Sequence, residues 1–178
     1  ALLADPFLPI KVLRGQREDI TPCLRCLECE GCLMSTRTIA CAVNPVIGRE
    51  LEFFTRRHGT NKRKVVVVGG GPGGMEAAVT AAREGHQVTL FEKQKLGGFL
   101  HEASAPEFKA DIRNALKYLT VQVEKRDIKV VEKEATAADL EGFDAIIIAT
   151  GAAGVRLPVP GADRANVQLA VEALAKDC

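Results

Sequence analysis

The chain has 178 residues, 47% hydrophobic and 26% charged, which suits one packed domain with an appendage and excludes the disordered class. Its 24 basic and 23 acidic residues leave a formal charge of +1, and aromatics are 4% with no Trp. Neither an electrostatic footprint nor a stacking platform for nucleic acid follows from that, and no apolar run is long enough for a membrane span.

Residues 1–22 show no clean period, carry Pro6 and Pro9, and read as irregular connecting chain. Residues 23–62 hold five of the six cysteines within 19 residues, then CAVNPVIGRELEF. A basic stretch, RRHGTNKRK, runs on to Lys64 and reads as a solvated linker or strand flank. The composition then changes. Val65-Val66-Val67-Val68 reads as a buried strand of a parallel sheet. A glycine-rich turn follows, then MEAAVTAAREG, a helix pattern stopping at Gly85. Residues 88–92 form a second strand, KQKLGG a loop, with His101 also read as a loop residue, and Pro106 can start a helix to about residue 126 with Ile112, Leu116 and Leu119 on one face. Strands are expected at 128–131 and 143–149, the latter ending in Thr150-Gly151, and a weak helix at about 166–176. Strands alternating with helices imply βαβ units, hence an α/β fold with a doubly wound parallel sheet. The expected domains are 1–22, 23–62, 63–154 and a crossover at 155–178.

Gly69-Gly70-Gly71-Pro72-Gly73-Gly74 satisfies G-x-G-x-x-G at Gly69, Gly71 and Gly74. The first glycine permits a tight strand-to-helix turn, the second lets a pyrophosphate approach the backbone, and the third lets helix and strand pack closely. The phosphates then sit at the helix N-terminus, where unpaired N–H groups and the dipole favour an anion. Context strengthens the motif. It follows a four-valine strand, opens a helix, and has Glu92, 18 residues after Gly74, at the end of the next strand, where a carboxylate accepts from ribose hydroxyls. An acid there, rather than an Arg, argues against a bound 2′-phosphate. A Rossmann-like dinucleotide half is expected, with Gly69, Gly71, Pro72, Gly73, Gly74 and Glu92 as binding candidates.

Cys23, Cys26, Cys29 and Cys32 are each two residues apart, and Cys41 follows after eight more. Clustering argues against a disulfide net, because cross-links stabilise most when they close long loops, and the expected setting is reducing and cytoplasmic. Four thiolates can close around zinc or hold an iron–sulfur cluster. Structural zinc usually presents two knuckles separated by a longer loop. Here three or four cysteines come from one compact turn, a spacing that favours iron–sulfur. Cys178, remote from the rest, is expected to be an unligated thiol.

VVVVGGGPGGMEAA and VTLFEK, followed by Leu96-Gly97-Gly98 and later Ala149-Thr150-Gly151, resemble the FAD-binding half of two-dinucleotide flavoprotein oxidoreductases. Cys23-Leu24-Arg25-Cys26 together with Cys41-Ala42-Val43-Asn44-Pro45 and Gly48-Arg49-Glu50 resembles the segment after the barrel in the 2,4-dienoyl-CoA reductase and trimethylamine dehydrogenase group. These are long NADH:flavin oxidoreductases of the old yellow enzyme type. The resemblance implies pyrophosphate at Gly73 and Gly74, ribose at Glu92, and the rest of FAD at the Gly98-Phe99 and Thr150-Gly151 turns, with Lys93 and Lys109 as outlying candidates. It also implies a [4Fe–4S] cluster on Cys23, Cys26, Cys29 and Cys41, whose spacing fits the family. Cys32 in place of Cys29 would depart from that pattern and is kept as the alternative third ligand.

In the resembling family NAD(P)H reduces FAD, the cluster relays single electrons to FMN, and FMN reduces an activated alkene such as an enoyl thioester. No residue here need act as acid or base, so none is nominated as catalytic. Leu3-Ala4-Asp5-Pro6 resembles the end of the FMN barrel, and residues 155–178 resemble the approach to the NAD(P)H-binding half. FMN and NAD(P)H are thus expected in parts of the same polypeptide beyond these residues, and the piece alone is expected to turn over poorly. Three alternatives stay open: ADP in place of FAD with an electron-transfer flavoprotein as partner, a glutamate-synthase-like electron-input subunit, and a non-enzymatic zinc-stapled nucleotide-binding module; a homo-oligomeric assembly is compatible with each.

Overall fold

The computed structural model of the chain describes residues 1–55 and 61–177, so the first residues of the basic stretch and the Cys178 thiol lie outside the described residues. The chain divides into two compact units, Ala1–Asn61 and Lys62–Cys178.

The first unit contains three short helices, α1 (Leu8–Leu13), α2 (Glu28–Met34) and α3 (Glu50–Thr55). Helices this short gain too little from propensity to stand alone, so tertiary bonds must hold them. Asp5 supplies several. Its carboxylate is only 2% exposed and accepts from Phe7 N–H at 3.0 Å, Thr21 N–H at 2.9 Å and Lys11 Nζ at 2.6 Å. Lys11 also donates to the Asp19 carbonyl at 2.7 Å. Residues 1–22, expected to be irregular, are therefore folded around one buried carboxylate. Asn44 closes the unit from the other side: Nδ2 donates to the Leu3 carbonyl at 2.8 Å, and Oδ1 accepts from Val46 N–H at 3.1 Å. The Leu3-Ala4-Asp5 and Cys41–Asn44 stretches are thus tied together although they lie some forty residues apart.

The second unit is a four-stranded parallel sheet of β1 (Lys64–Val68), β2 (Gln87–Glu92), β3 (Ile128–Glu132) and β4 (Ala145–Ile148), in spatial order β3-β2-β1-β4. The direction of winding reverses at β1, as a doubly wound sheet requires. Helix α4 (Pro72–Arg83) joins β1 to β2. α5 (Leu100–Ser104) and α6 (Ala110–Glu124) join β2 to β3. Met75, Ala78 and Val79 of α4 and Val123 of α6 pack with Val65, Val67, Val88 and Leu90 in one core. The 3.6-residue spacing on the helices meets the two-residue alternation on the strands, which is why both patterns were legible in the sequence.

The sequence missed two details. α4 begins at Pro72 rather than at Met75, because Gly73 and Gly74 are helical and Pro suits the first turn. The stretch beyond the Gly97-Gly98 loop contains α5, placing His101 in a helix; its Nε2 donates to the Leu96 carbonyl at 2.9 Å. The C-terminal crossover folds around Arg156, which donates to the carbonyls of Ala162 and Val167 and pairs with Glu172 of α7 (Ala170–Leu174). Among the described residues no helix is long and apolar enough to cross a membrane.

Replacing Asp5 by Asn removes the charge that Lys11 opposes and should cost the first unit about 2 kcal/mol. Amide hydrogen exchange should quicken at Phe7 and Thr21 while β1 and β2 stay protected. A second expectation concerns pH. The turn before β4 is pinned by Asp139, whose carboxyl is drawn down to about 2 by hydrogen bonds from Lys133 and Thr136. A depressed carboxyl contributes above its unfolded value, so this turn should hold above about pH 4 and loosen as pH falls through about 2. NMR titration of Asp139 in a Lys133→Gln chain should show the midpoint move upward.

Candidate functional site

The glycine turn sits at the C-terminal end of β1, the end at which open α/β sheets bind ligands. Three close approaches define it. A Cβ on Gly74 would lie 1.8 Å from the Gly69 carbonyl oxygen, so α4 can rest against the end of β1 only without a side chain there. Gly69, at φ +104, turns beneath Ala149, whose carbonyl oxygen would be 2.2 Å from a Gly69 Cβ. Gly70 would strike Leu96 Cδ2 at 2.7 Å and the Glu92 side chain at 2.9 Å. The fingerprint does not select Gly70. Its need for glycine comes from the β2 loop folding over it, which no local pattern announces.

Gly71 behaves differently. Its backbone is in the ordinary region, at φ −68, and a Cβ there would meet nothing within 4 Å. Gly73 is equally open. Glycine at these positions leaves a cradle that side chains would partly fill, at the start of a helix whose first N–H groups lack intrahelical acceptors. That open backbone fits a pyrophosphate.

Glu92 is fixed beside the cradle. Oε2 accepts from Gly70 N–H at 2.6 Å and Oε1 from Gln94 N–H at 2.9 Å, leaving lone pairs for further donors. The Gly97-Gly98 loop closes the other side. Gly97 N–H donates to the Gly70 carbonyl at 2.8 Å, and a Cβ on Gly98 would stand 3.1 Å from Gly71 Cα. Behind it, the Arg113 guanidinium donates to the carbonyls of Ser104, Pro106 and Glu107, clamping the turn between α5 and α6. Sequence reasoning did not single out Arg113, because a guanidinium serving carbonyls looks like any surface Arg until the chain is folded.

Gly69, Gly71, Pro72, Gly73, Gly74, Glu92 and Gly98 are therefore gathered in one place. Phe99 directly follows Gly98 and is about half exposed. Thr150 and Gly151 lie just after Ala149, which hydrogen-bonds Val68 at the end of β1, and both are exposed. The two lysines are engaged elsewhere: Lys93 pairs with Glu134 at 3.6 Å, and Lys109 lies over the Phe108 ring at 5.6 Å.

In the first unit, Cys23, Cys26, Cys29, Cys32 and Cys41 are all free thiols. Cys29 and Cys32 fall in α2, and Cys32 is 1% exposed with its thiol donating to Glu28 Oε1 at 3.6 Å. Cys23, Cys26, Cys29 and Cys41 are all more accessible than that. Arg25 N–H donates to Cys23 Sγ at 3.4 Å, and Arg25 and Leu27 both adopt left-handed backbone, at φ 52 and 60. Among the described residues no three His, Cys, Asp or Glu side chains are gathered to hold a metal ion. The donor chemistry, four accessible soft thiols with a backbone N–H already directed at one sulfur, nonetheless suits iron or zinc.

Residues 63–176 match the family model described as pyridine nucleotide-disulphide oxidoreductase. The chain belongs to this family. It is similar to an NADH oxidase of Thermoanaerobacter brockii, 40% identical over 173 residues, covering 93% of this chain and 26% of that protein. It is equally similar to a cinnamate reductase of Clostridium sporogenes, 40% identical over 170 residues, covering 92% of this chain and 25% of that one. Among solved structures, a 2-naphthoyl-CoA reductase in complex with 2-naphthoyl-CoA superposes with a TM-score of 0.91 at 34% identity, covering 99% of this chain and 28% of that one. These oxidases and reductases are of the group that the sequence resembles. The chain spans about a quarter of the length of the curated relatives it matches.

Two substitutions separate packing from binding. Gly74→Ala drives a Cβ into the Gly69 carbonyl and should lose the cooperative thermal transition of the second unit. Gly71→Ala meets no neighbour, so circular dichroism and melting should be unchanged while adenine-dinucleotide affinity, read by equilibrium dialysis, falls at least tenfold.

Proposed function

We propose that this chain is the electron-transfer portion of an NAD(P)H-dependent flavin and iron–sulfur oxidoreductase acting on an activated alkene such as an enoyl-CoA. The observation that carries the reading is the open Gly71 backbone, bounded by Gly98 and by a Glu92 carboxylate that Gly70 N–H holds in place. The names of the relatives support the chemistry, since an NADH oxidase, a cinnamate reductase and a 2-naphthoyl-CoA reductase together cover nicotinamide oxidation and reduction of conjugated acids and thioesters.

On this reading the backbone N–H groups of Gly73 and Gly74 hold the FAD pyrophosphate. Glu92 accepts from the adenosine ribose, and the Gly98-Phe99 and Thr150-Gly151 turns line the remainder. Lys93, paired with Glu134, and Lys109, over the Phe108 ring, remain outlying candidates. Cys23, Cys26, Cys29 and Cys41 hold the [4Fe–4S] cluster, and Cys32, already buried against Glu28, stays out of it. Flavin supplies the exchange between two-electron and one-electron chemistry, and the cluster supplies one-electron transfer toward an FMN. The partners are an FMN-bearing barrel and an NAD(P)H-binding domain of the same polypeptide, in the cytoplasm.

Anaerobic purification, a visible spectrum and extraction of the bound nucleotide test the reading. Broad brown absorption with acid-labile sulfide and released FAD is the expected result. A colourless protein carrying zinc would overturn the cluster assignment, and released ADP would favour the amine-dehydrogenase-like arrangement. Cys29→Ala should lose iron and Cys32→Ala should retain it; the opposite outcome would exchange their roles.

A further inference from the structure

The second unit also has a cavity away from the glycine turn. It has a volume of about 610 Å³ and lies where Lys64 opens β1, Gln87 opens β2, Asp127 precedes β3 and Asp144 precedes β4. Because all four strands are parallel, this is the N-terminal end of the sheet. The five residues of β1 separate it from the glycine turn by about 15 Å. The basic stretch that the sequence reads as a solvated strand flank is partly drawn into it: Lys62, Arg63 and Lys64 line the cavity together with His86 and Arg126.

We propose that this cavity binds a phosphate-bearing ligand. Four permanent cations face two carboxylates, Asp127 and Asp144, although the chain as a whole is close to neutral. Asp144 is committed to the backbone: its Oδ2 accepts from Lys64 N–H at 2.7 Å. Among the described residues, none of the ion pairs involves Lys62, Arg63 or Lys64. Helix C-termini also attract cations, and α4 and α6 both end here. The carbonyls of α4 are already served by backbone donors, with Glu84 N–H to Thr80, Gly85 N–H to Ala82 and His86 N–H to Ala81. At α6, Arg126 Nη1 serves the Gln122 carbonyl at 2.7 Å. Helix ends therefore account for Arg126 and leave Lys62, Arg63 and Lys64 unexplained.

The cradle is also rigid where the cations emerge. Arg63 N–H donates to His86 Nδ1 at 3.3 Å, and its carbonyl accepts from Gln87 N–H at 2.9 Å. The Lys64 carbonyl accepts from Asp144 N–H at 2.9 Å. Charges on a preorganised backbone bind an anion without the ordering cost of a mobile loop. The volume lies within the range of small-molecule sites and admits more than a single phosphate group. Phosphoanhydride or phosphate-ester oxygens are what a cavity lined by amino and guanidinium groups recognises.

The test is a ¹H–¹⁵N NMR titration of the full chain with pyrophosphate, inorganic phosphate and a phosphate monoester, which separates a free oxyanion from an esterified one. Saturable shifts centred on residues 62–64, 85–87 and 126 are expected with at least one of the three. Arg63→Gln with Lys64→Gln should weaken that binding at least tenfold while the β1 and β2 amide spectrum is preserved, and raised salt should weaken it as well. Shifts confined to residues 69–74, equal affinity in the double variant, or no saturable shift with any of the three would overturn the proposal.

Discussion

The second unit depends on how closely α4 can approach the end of β1. A Cβ at Gly74 would sit 1.8 Å from the Gly69 carbonyl oxygen, well inside any tolerable contact. Because nothing stands there, the helix runs directly out of the strand and aims its first N–H groups at the space beside Gly71. The same closeness brings Ala149 over Gly69 and so fixes where β4 ends. The path of α4 out of β1 and the open cradle beside Gly71 thus depend on one backbone contact.

Around that contact the loops are tied by hydrogen bonds of different origin. Glu92 and the Gly70 backbone link the end of β2 to the turn, while Gly97 N–H links the following loop to the same residue. Arg113 reaches back from α6 to hold three carbonyls of the connection. A loop so constrained presents its backbone in one arrangement, which favours binding an extended anionic ligand. The first unit uses the same device on a smaller scale, with Asp5 and Lys11 organising the approach to Cys23 and Asn44 joining it to the segment after Cys41.

The two ends of the sheet differ in chemistry. The C-terminal end offers open backbone N–H groups and a carboxylate, suited to a nucleotide whose phosphates meet the helix dipole. The N-terminal end offers side-chain cations around a cavity, with helix termini largely capped by their own backbone. The separation is a consequence of parallel topology, which places all strand starts on one side and all glycine-rich exits on the other.

What the amino-acid sequence determined by itself was everything that repeats or punctuates: the valine run of β1, the helical spacing of α4 and α6, the glycine fingerprint with Glu92, and the clustering of the cysteines. These are local, because side-chain alternation and backbone freedom act over a few residues. What only the tertiary structure decided lies between distant residues. α5 is five residues long and is held by Arg113 rather than by its own propensity; Gly70 must be glycine because Leu96 and Glu92 fold onto it. Asp5 is a buried anchor because Lys11, Phe7 and Thr21 converge on it, and Cys32 is the cysteine that becomes buried although its spacing matches that of its neighbours. In each case the reason is that burial and hydrogen-bond pairing are set by which chain segments meet, and spacing along one segment does not contain that information.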